Sequence, residues 1–344
     1  MTPVGRPSDV VSLLIAILVS LASGCGQNKQ PDTRAGRVIG PSQQAPSFAA
    51  ARNVPLDPAL RADADKELRV DLQSSDPEIR AHALEALQKN GADNSREITA
   101  ALGDTDPLVR YSGCIAAGQI QLKSAHDALL ALADDHTAVV RVVARYALHR
   151  IGDYRYSHDL EALSRDPEPQ VRGTTAMALG MLGDPSGLKV LRSMRTDPHP
   201  AVRQQASAAM WQLGDQQGMA DLIGWSISQF PDDQMFGLLG LAEPRHRAII
   251  QHVRIGLVRD RPEVTLAAAR GMGMLGSDEG YAIAMKGVSS VDPSQRIEAA
   301  LALGAIGRSD SQGALRKLLG DSNANVRIAA AEAIFELKPD FMPG

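Results

Sequence analysis

Apolar, small and polar positions recur along this chain with a long period. "PQVRGTTAMALGMLGD" (Pro169 to Asp184) is rewritten as "PAVRQQASAAMWQLGD" from Pro200 and as "PSQRIEAALALGAIGR" from Pro293. One arginine serves as the zero of each unit: Arg80, Arg110, Arg141, Arg172, Arg203, Arg296 and Arg327, with Gln234 and Thr265 in the same slot. After a first step of 30, every step is 31 residues. Position −1 is usually apolar, +6 is Ala or Gly in all nine units, +7 is apolar in all nine, and +10 is Ile or Leu in seven. Positions −1, +3, +6, +7 and +10 trace one face of a helix. A second apolar segment follows, for example "SGLKVLRSM" or "SAHDALLALA". Each unit therefore predicts a helix pair. One pair cannot bury its own face, so the pairs must stack on their neighbours.

The flanking columns fix the boundaries. Proline stands three residues before the zero in seven units, where a first helical turn tolerates its missing N–H. Asp76, Asp106 and Asp292 precede it as N-caps, with Thr137 and Asn323 in the same slot. Gly91, Gly152, Gly183, Gly214, Gly276 and Gly307 close the first helix. The small residue at +6 lets two helices approach closely; a bulky side chain there costs about 1–3 kcal/mol.

A 31-residue helix pair with an Asp-Pro entry and a Val-Arg step resembles the HEAT repeat family, most closely the short bacterial form also found in phycobilisome-lyase-like proteins. The resemblance covers roughly residues 60 to 340. It implies an all-α, right-handed α-solenoid of about nine pairs, with the arginine-bearing helix on the inner, concave side. Residues 57–73 are expected to form an N-terminal capping helix, and "KPDFMPG" to close the other end.

The N-terminus follows another logic. Arg6 precedes the apolar run "VVSLLIAILVSL" (Val10 to Leu21), which has signal-peptide length and is too short to span a bilayer comfortably. "LASGC" (Leu21 to Cys25) resembles the lipobox of bacterial lipoproteins, although its Leu sits one place early. The resemblance implies removal of residues 1–24, diacylglycerol on Cys25, and a membrane anchor on the periplasmic or exterior side. Ordinary cleavage to a soluble secreted protein fits Ala22-x-Gly24 as well. Residues 25–56 then carry the lipidated cysteine and a Gln-, Ser-, Pro- and Gly-rich tether, and residues 57–340 the solenoid.

Composition excludes several functions. Aromatic residues are only 3% of the chain, which leaves small residues to pack helices. The net charge of −4 argues against a general nucleic-acid binder, which needs a basic surface. Two cysteines, Cys25 and Cys114, cannot build a disulfide framework. None of the eight histidines forms H-E-x-x-H, and no His-Glu dipeptide occurs, so neither a metal nor a cofactor is expected. "GMGMLG" (Gly271 to Gly276) matches a dinucleotide-loop pattern, but its glycines occupy repeat columns inside and at the end of a helix.

Three features remain as candidates. Asp104, Asp135, Asp166, Asp197 and Asp321 recur six residues before their zero. In HEAT proteins such acids commonly bond arginines of the adjacent turn, so Arg80, Arg110, Arg141, Arg172, Arg203, Arg296 and Arg327 read as a structural ladder; an anion-binding row is the alternative. Arg245, Arg247, Arg254, Arg259 and Arg261, with His246 and His252, form a candidate basic patch where the arginine column lapses. Helical spacing also sets Tyr111, Val142, Tyr146, Met177, Met181, Trp211 and Met274 on the open side of the inner helices, as a partner-binding groove or as packing between repeats. The chain thus reads as an exported, non-catalytic scaffold for a protein or peptide partner. An enzyme-associated or chromophore-handling role is the alternative carried by the lyase-like resemblance. Base repair is disfavoured by charge and export.

Overall fold

The computed structural model describes residues 54–156 and 159–339, which contain α-helices and short 3-10 turns and no strand. After α1 (Pro58–Asp71), longer and shorter helices alternate. The longer ones are α2 (Pro77–Leu87), α4 (Pro107–Gln119), α6 (Ala138–Arg150), α8 (Pro169–Leu182), α10 (Pro200–Gln212), α12 (Pro231–Ala242), α14 (Pro262–Met274), α16 (Pro293–Ile306) and α18 (Ala324–Glu336). Between them lie α3 (Ser95–Leu102), α5 (His126–Leu132), α7 (Asp159–Leu163), α9 (Leu188–Met194), α11 (Gln216–Ser226), α13 (Ile250–Arg254), α15 (Tyr281–Gly287) and α17 (Gln312–Leu319).

The repeat columns set these boundaries. Asp76, Asp106 and Asp292 each accept an N–H of the first turn, as does Asn323. Thr137 occupies the same slot but makes no side-chain cap bond. The six glycines at +11 adopt φ between 72° and 102°. Three units lack glycine there: Gln121 (φ 54°) and Arg245 (φ 57°) still take the left-handed conformation, and the third, Lys338, follows α18. The turn between paired helices therefore demands this geometry, and glycine supplies it without steric cost.

The long helices pack side by side, and each short helix lies against the long helix that follows it. The stack then returns to its start. α18 packs against both α1 and α2. One core joins Leu60, Ala64 and Leu68 near the beginning to Leu303, Val326 and Ile334 near the end. Lys89 Nζ reaches Glu336 Oε1 at 3.2 Å, and His82 Nδ1 lies 2.9 Å from Asn325 Oδ1. Gln312 Nε2 donates to the Pro55 carbonyl at 2.9 Å. The helix expected to cap an open solenoid is instead the outer helix of the ninth pair. Among the described residues no short helix follows α18, and α1 lies against it in the place an outer helix takes elsewhere, so the nine pairs close into a ring.

Spacing around the ring is uneven, and one further column orders it. Where +8 is glycine (Gly118, Gly180, Gly273, Gly304), consecutive inner helices pack closest. Ala242 gives a slightly looser junction, His149 and Gln88 looser ones, and Phe335 a looser one still. Trp211 gives the loosest, between α10 and α12. A Cβ on Gly273 would stand 2.5 Å from Ile306 N, and one on Gly304 would stand 2.7 Å from Ala333 Cα. At Trp211 the indole fills the gap and donates Nε1–H to the Leu241 carbonyl at 3.0 Å.

Candidate interaction surfaces of the ring

The arginine column is a ladder with a defined geometry. Arg172 donates Nε–H to Asp197 Oδ2 at 2.7 Å and Nη2–H to Oδ1 at 2.8 Å, while Nη1–H goes to the Asp166 carbonyl at 2.8 Å. Arg80, Arg110 and Arg296 make the same fork to Asp104, Asp135 and Asp321, with Nε–Oδ2 distances of 3.0, 2.8 and 2.8 Å. Each aspartate also accepts a backbone N–H two residues on, as Asp197 does from His199 at 2.8 Å. One guanidinium thereby ties its own turn to the next. The Arg172 and Arg296 forks hold Asp197 and Asp321 below the ordinary carboxylate range. For Asp104 and Asp135, burial pushes upward, and Arg80 and Arg110 together with the backbone N–H groups of Asp106 and Thr137 more than offset it. The bidentate fork matches carboxylate geometry and leaves no free donor edge for another anion.

The ladder is incomplete in an orderly way. Arg141 and Arg203 bond only their own turns, through the Asp135 and Asp197 carbonyls at 2.8 Å each. Asp166 accepts the Glu168 N–H at 2.8 Å. The residue 25 past Arg203 is Ser228, which offers no carboxylate, and Gln234 copies the local bond by donating to the Ser228 carbonyl at 2.5 Å. At the ring seam, Arg327 reaches the acids of α1 instead: Glu67 at 2.5 Å and Asp71 at 3.6 Å.

The apolar groove expected on the inner helices is not an open surface. Tyr111, Val142, Tyr146, Met177, Met181 and Trp211 are buried, and Met274 is half-buried. Tyr146 sits against Gly118 of the preceding inner helix, and the Tyr111 hydroxyl donates to Met177 Sδ at 3.4 Å. Ring closure is the physical reason. Inner helices packed on two inner neighbours and on outer helices have apolar faces in several directions, and these residues fill the junctions.

What the inner helices carry instead is charge, which the column reading passed over. Lys89, in the turn just after α2, lies 3.2 Å from Glu336 and 3.8 Å from Glu332 on α18. Arg270 on α14 lies 3.9 Å from Glu298 on α16. Burial disfavours charge on Arg270, but Glu298, Glu332, Glu336 and Glu243 outweigh it and raise its pKa. These residues stand at +2, +5 and +9 of their units, so a helical stripe of charge was the available signal.

The basic patch does not form one surface. Arg245, His246 and Arg247 are exposed in the turn after α12, whereas Arg259 and Arg261 lie in the turn before α14, beyond the opposite end of the short outer helix. Arg254 is paired with Glu279 at 2.6 Å. Cys114 is buried inside α4, and its thiol pKa is pushed up by burial, as befits a packed hydrophobe. Gly271 and Gly273 lie inside α14 and Gly276 in the turn after it, with a helical turn rather than a strand before them. Among the described residues no cluster of His, Cys, Asp and Glu is arranged to hold a metal. Cys25 and the tether up to residue 53 lie outside the described residues.

Several solved structures are similar to this chain at low identity. The chain covers 97% of a chain from the CpcE–CpcF complex of phycocyanin lyase from Nostoc sp. PCC7120, over 71% of its own length, with 20% identity and a TM-score of 0.42. It covers 98% of human deoxyhypusine hydroxylase over 74% of its own length, with 20% identity and a TM-score of 0.38. It covers 37% of Kap121p over 81% of its own length, with 12% identity and a TM-score of 0.34. Among curated proteins no match is found. The HEAT repeat model matches residues 58–149, 158–229 and 281–339, well over half of the chain, and the protein therefore belongs to the HEAT repeat family.

Proposed function

We propose that this protein is an exported, lipid-anchored, non-catalytic scaffold that holds a protein partner near a membrane surface. The observation that carries the scaffold reading is the ladder. Four arginine–aspartate forks bind turn to turn, so the polar column of the repeat serves stacking and not chemistry. Export and anchoring are supported by the apolar run ending in "LASGC" and by the polar tether that follows Cys25. A tether of about 30 residues spans roughly 30 Å as a coil, enough to hold a ring off the bilayer. With the apolar groove residues buried, and most of the charged inner stripe buried as well, the turns along the ring's edges are the surface that a partner meets.

The test uses the full chain in a bacterial host, labelled with a clickable fatty acid and fused at its C-terminus to a proximity-labelling enzyme. Wild type should take up label and Cys25→Ser should not. Equal labelling, or none with a mature N-terminus near Cys25, removes the anchor. Wild type should also tag a small set of exported proteins. Tagging no different from that of an unrelated exported lipoprotein removes the scaffold role.

A further inference from the structure

Three consecutive turns on one edge of the ring expose large apolar side chains. Ile227 (63% exposed) and Phe230 (58%) lie between α11 and α12, Val258 (82%) lies before α14, and Val291 (98%) lies before α16. α12, α14 and α16 pack side by side, so the turns that lead into them line the same edge. It is the edge on which the ladder runs, and here the ladder lapses. Gln234 and Thr265 replace two arginines, and the −6 slot that holds aspartate in five units holds Ser228, Arg259 and Ser290 here.

Arg259 reverses the sign of its slot. Where Asp104, Asp135, Asp197 and Asp321 each receive a guanidinium from the unit before, this turn presents a guanidinium of its own. Its Nε is buried without a hydrogen-bond partner. One repeat away, Asp232 is exposed in the first turn of α12, and Asp260 is exposed beside Arg259. The edge therefore joins apolar tips to charges of both signs. A partner of one charge would leave the other sign facing its like. A second copy related by a two-fold axis sets Arg259 of each against Asp232 of the other, and packs Ile227 and Phe230 of each toward Val258 of the other. Exposed aliphatic and aromatic residues grouped in this way mark an interaction site, since scattered ones need no explanation.

We infer that this edge is a self-complementary docking surface through which two copies associate as a two-fold dimer. Four apolar tips make a patch smaller than a standard interface of about 800 Å² per partner, so the dimer is a weak one. Nothing in this inference depends on the anchor at Cys25 or on the partner proposed above.

Sedimentation velocity of the full chain over a concentration series, in mild detergent, tests it. Wild type should pass from monomer to dimer, and Phe230→Asp with Val258→Asp should stay monomeric with an unchanged far-UV dichroism melt. Arg259→Glu alone and Asp232→Arg alone should each weaken the dimer roughly tenfold. Mixing these two single variants should restore association, because the heterodimer then holds one native and one reversed charge pair, both attractive. A wild type that stays monomeric, or a mixture no better than its components, overturns the inference. So does flotation of monomeric wild type with anionic phosphatidylglycerol vesicles that Phe230→Asp abolishes, which would assign the edge to lipid.

Discussion

The junction between α16 and α18 and the junction between α10 and α12 are built from the same repeat, yet they differ in almost every term. At the first, Gly304 lets the helices meet backbone to side chain, with Ala333 and Glu336 within 3.1 Å of where a Cβ would stand. The fork from Arg296 to Asp321 then ties the turns of these two units together. At the second, Trp211 replaces glycine, the inner helices stand apart, and α11 packs closely against both. No guanidinium bridges the turns, because Ser228 stands where an aspartate is needed. One junction is held by close approach and an ion pair, the other by a large side chain and an outer helix. The exposed apolar turns at Ile227 and Phe230 belong to the second. A ring of otherwise similar units thus has one place where stacking uses the fewest of its surface groups.

The largest expected effect breaks the loose junction. Trp211→Ala removes a buried indole and leaves the Leu241 carbonyl without its donor. The loss should be about 3–5 kcal/mol, read as a shift of the urea midpoint. If the loss is under about 1 kcal/mol, the indole is not what fills this junction.

Next comes the tight junction. Gly304→Leu should cost about 1–3 kcal/mol, because Ala333 lies on a packed backbone that cannot give way. Gly224→Leu is the control: it lies within α11 and has nothing within 4 Å of its Cβ position, so only helix propensity should register, in the direction of stabilisation. Equal behaviour of the two variants would mean that +8 glycine does not set the spacing.

The comparison also shows what the sequence made legible. The period, the caps, the left-handed glycines and the ladder all follow from local spacing, and each is a short-range physical demand. Ring closure is not such a demand. Leu60, Ala64 and Leu68 meet Val326 and Ile334 across more than 250 residues of sequence, and α1 lacks the arginine column that marks the other units. The apolar groove failed for a related reason. Tyr146 has the same spacing whether it faces solvent or the glycine of its neighbour, and only the placement of α4 against α6 decides. The +8 column was open to reading, but the Ala/Gly column at +6 already accounts for close approach and hides the residue that grades it.

The smallest effects sharpen the comparison electrostatically. Arg172→Ala should cost about 1.5–3 kcal/mol, since it removes a charged fork and leaves Asp197 largely buried. Arg203→Ala should cost about 0.5–1.5 kcal/mol, since Arg203 holds only the carbonyls of its own turn. The two should also differ in acid. Arg172 holds Asp197 below the ordinary carboxylate range in the folded ring but not in the unfolded chain. The unfolded chain therefore takes up the proton first, and stabilisation present near neutrality is lost as pH falls through the folded-state value. Unfolding free energy measured from pH 6 down to about pH 3, where ordinary aspartates titrate, should fall less steeply for Arg172→Ala than for wild type. Arg203→Ala should keep the wild-type slope, because it has no carboxylate to release. Parallel slopes for all three proteins would mean that the forks, whatever their geometry, do not carry the acid sensitivity of the ring.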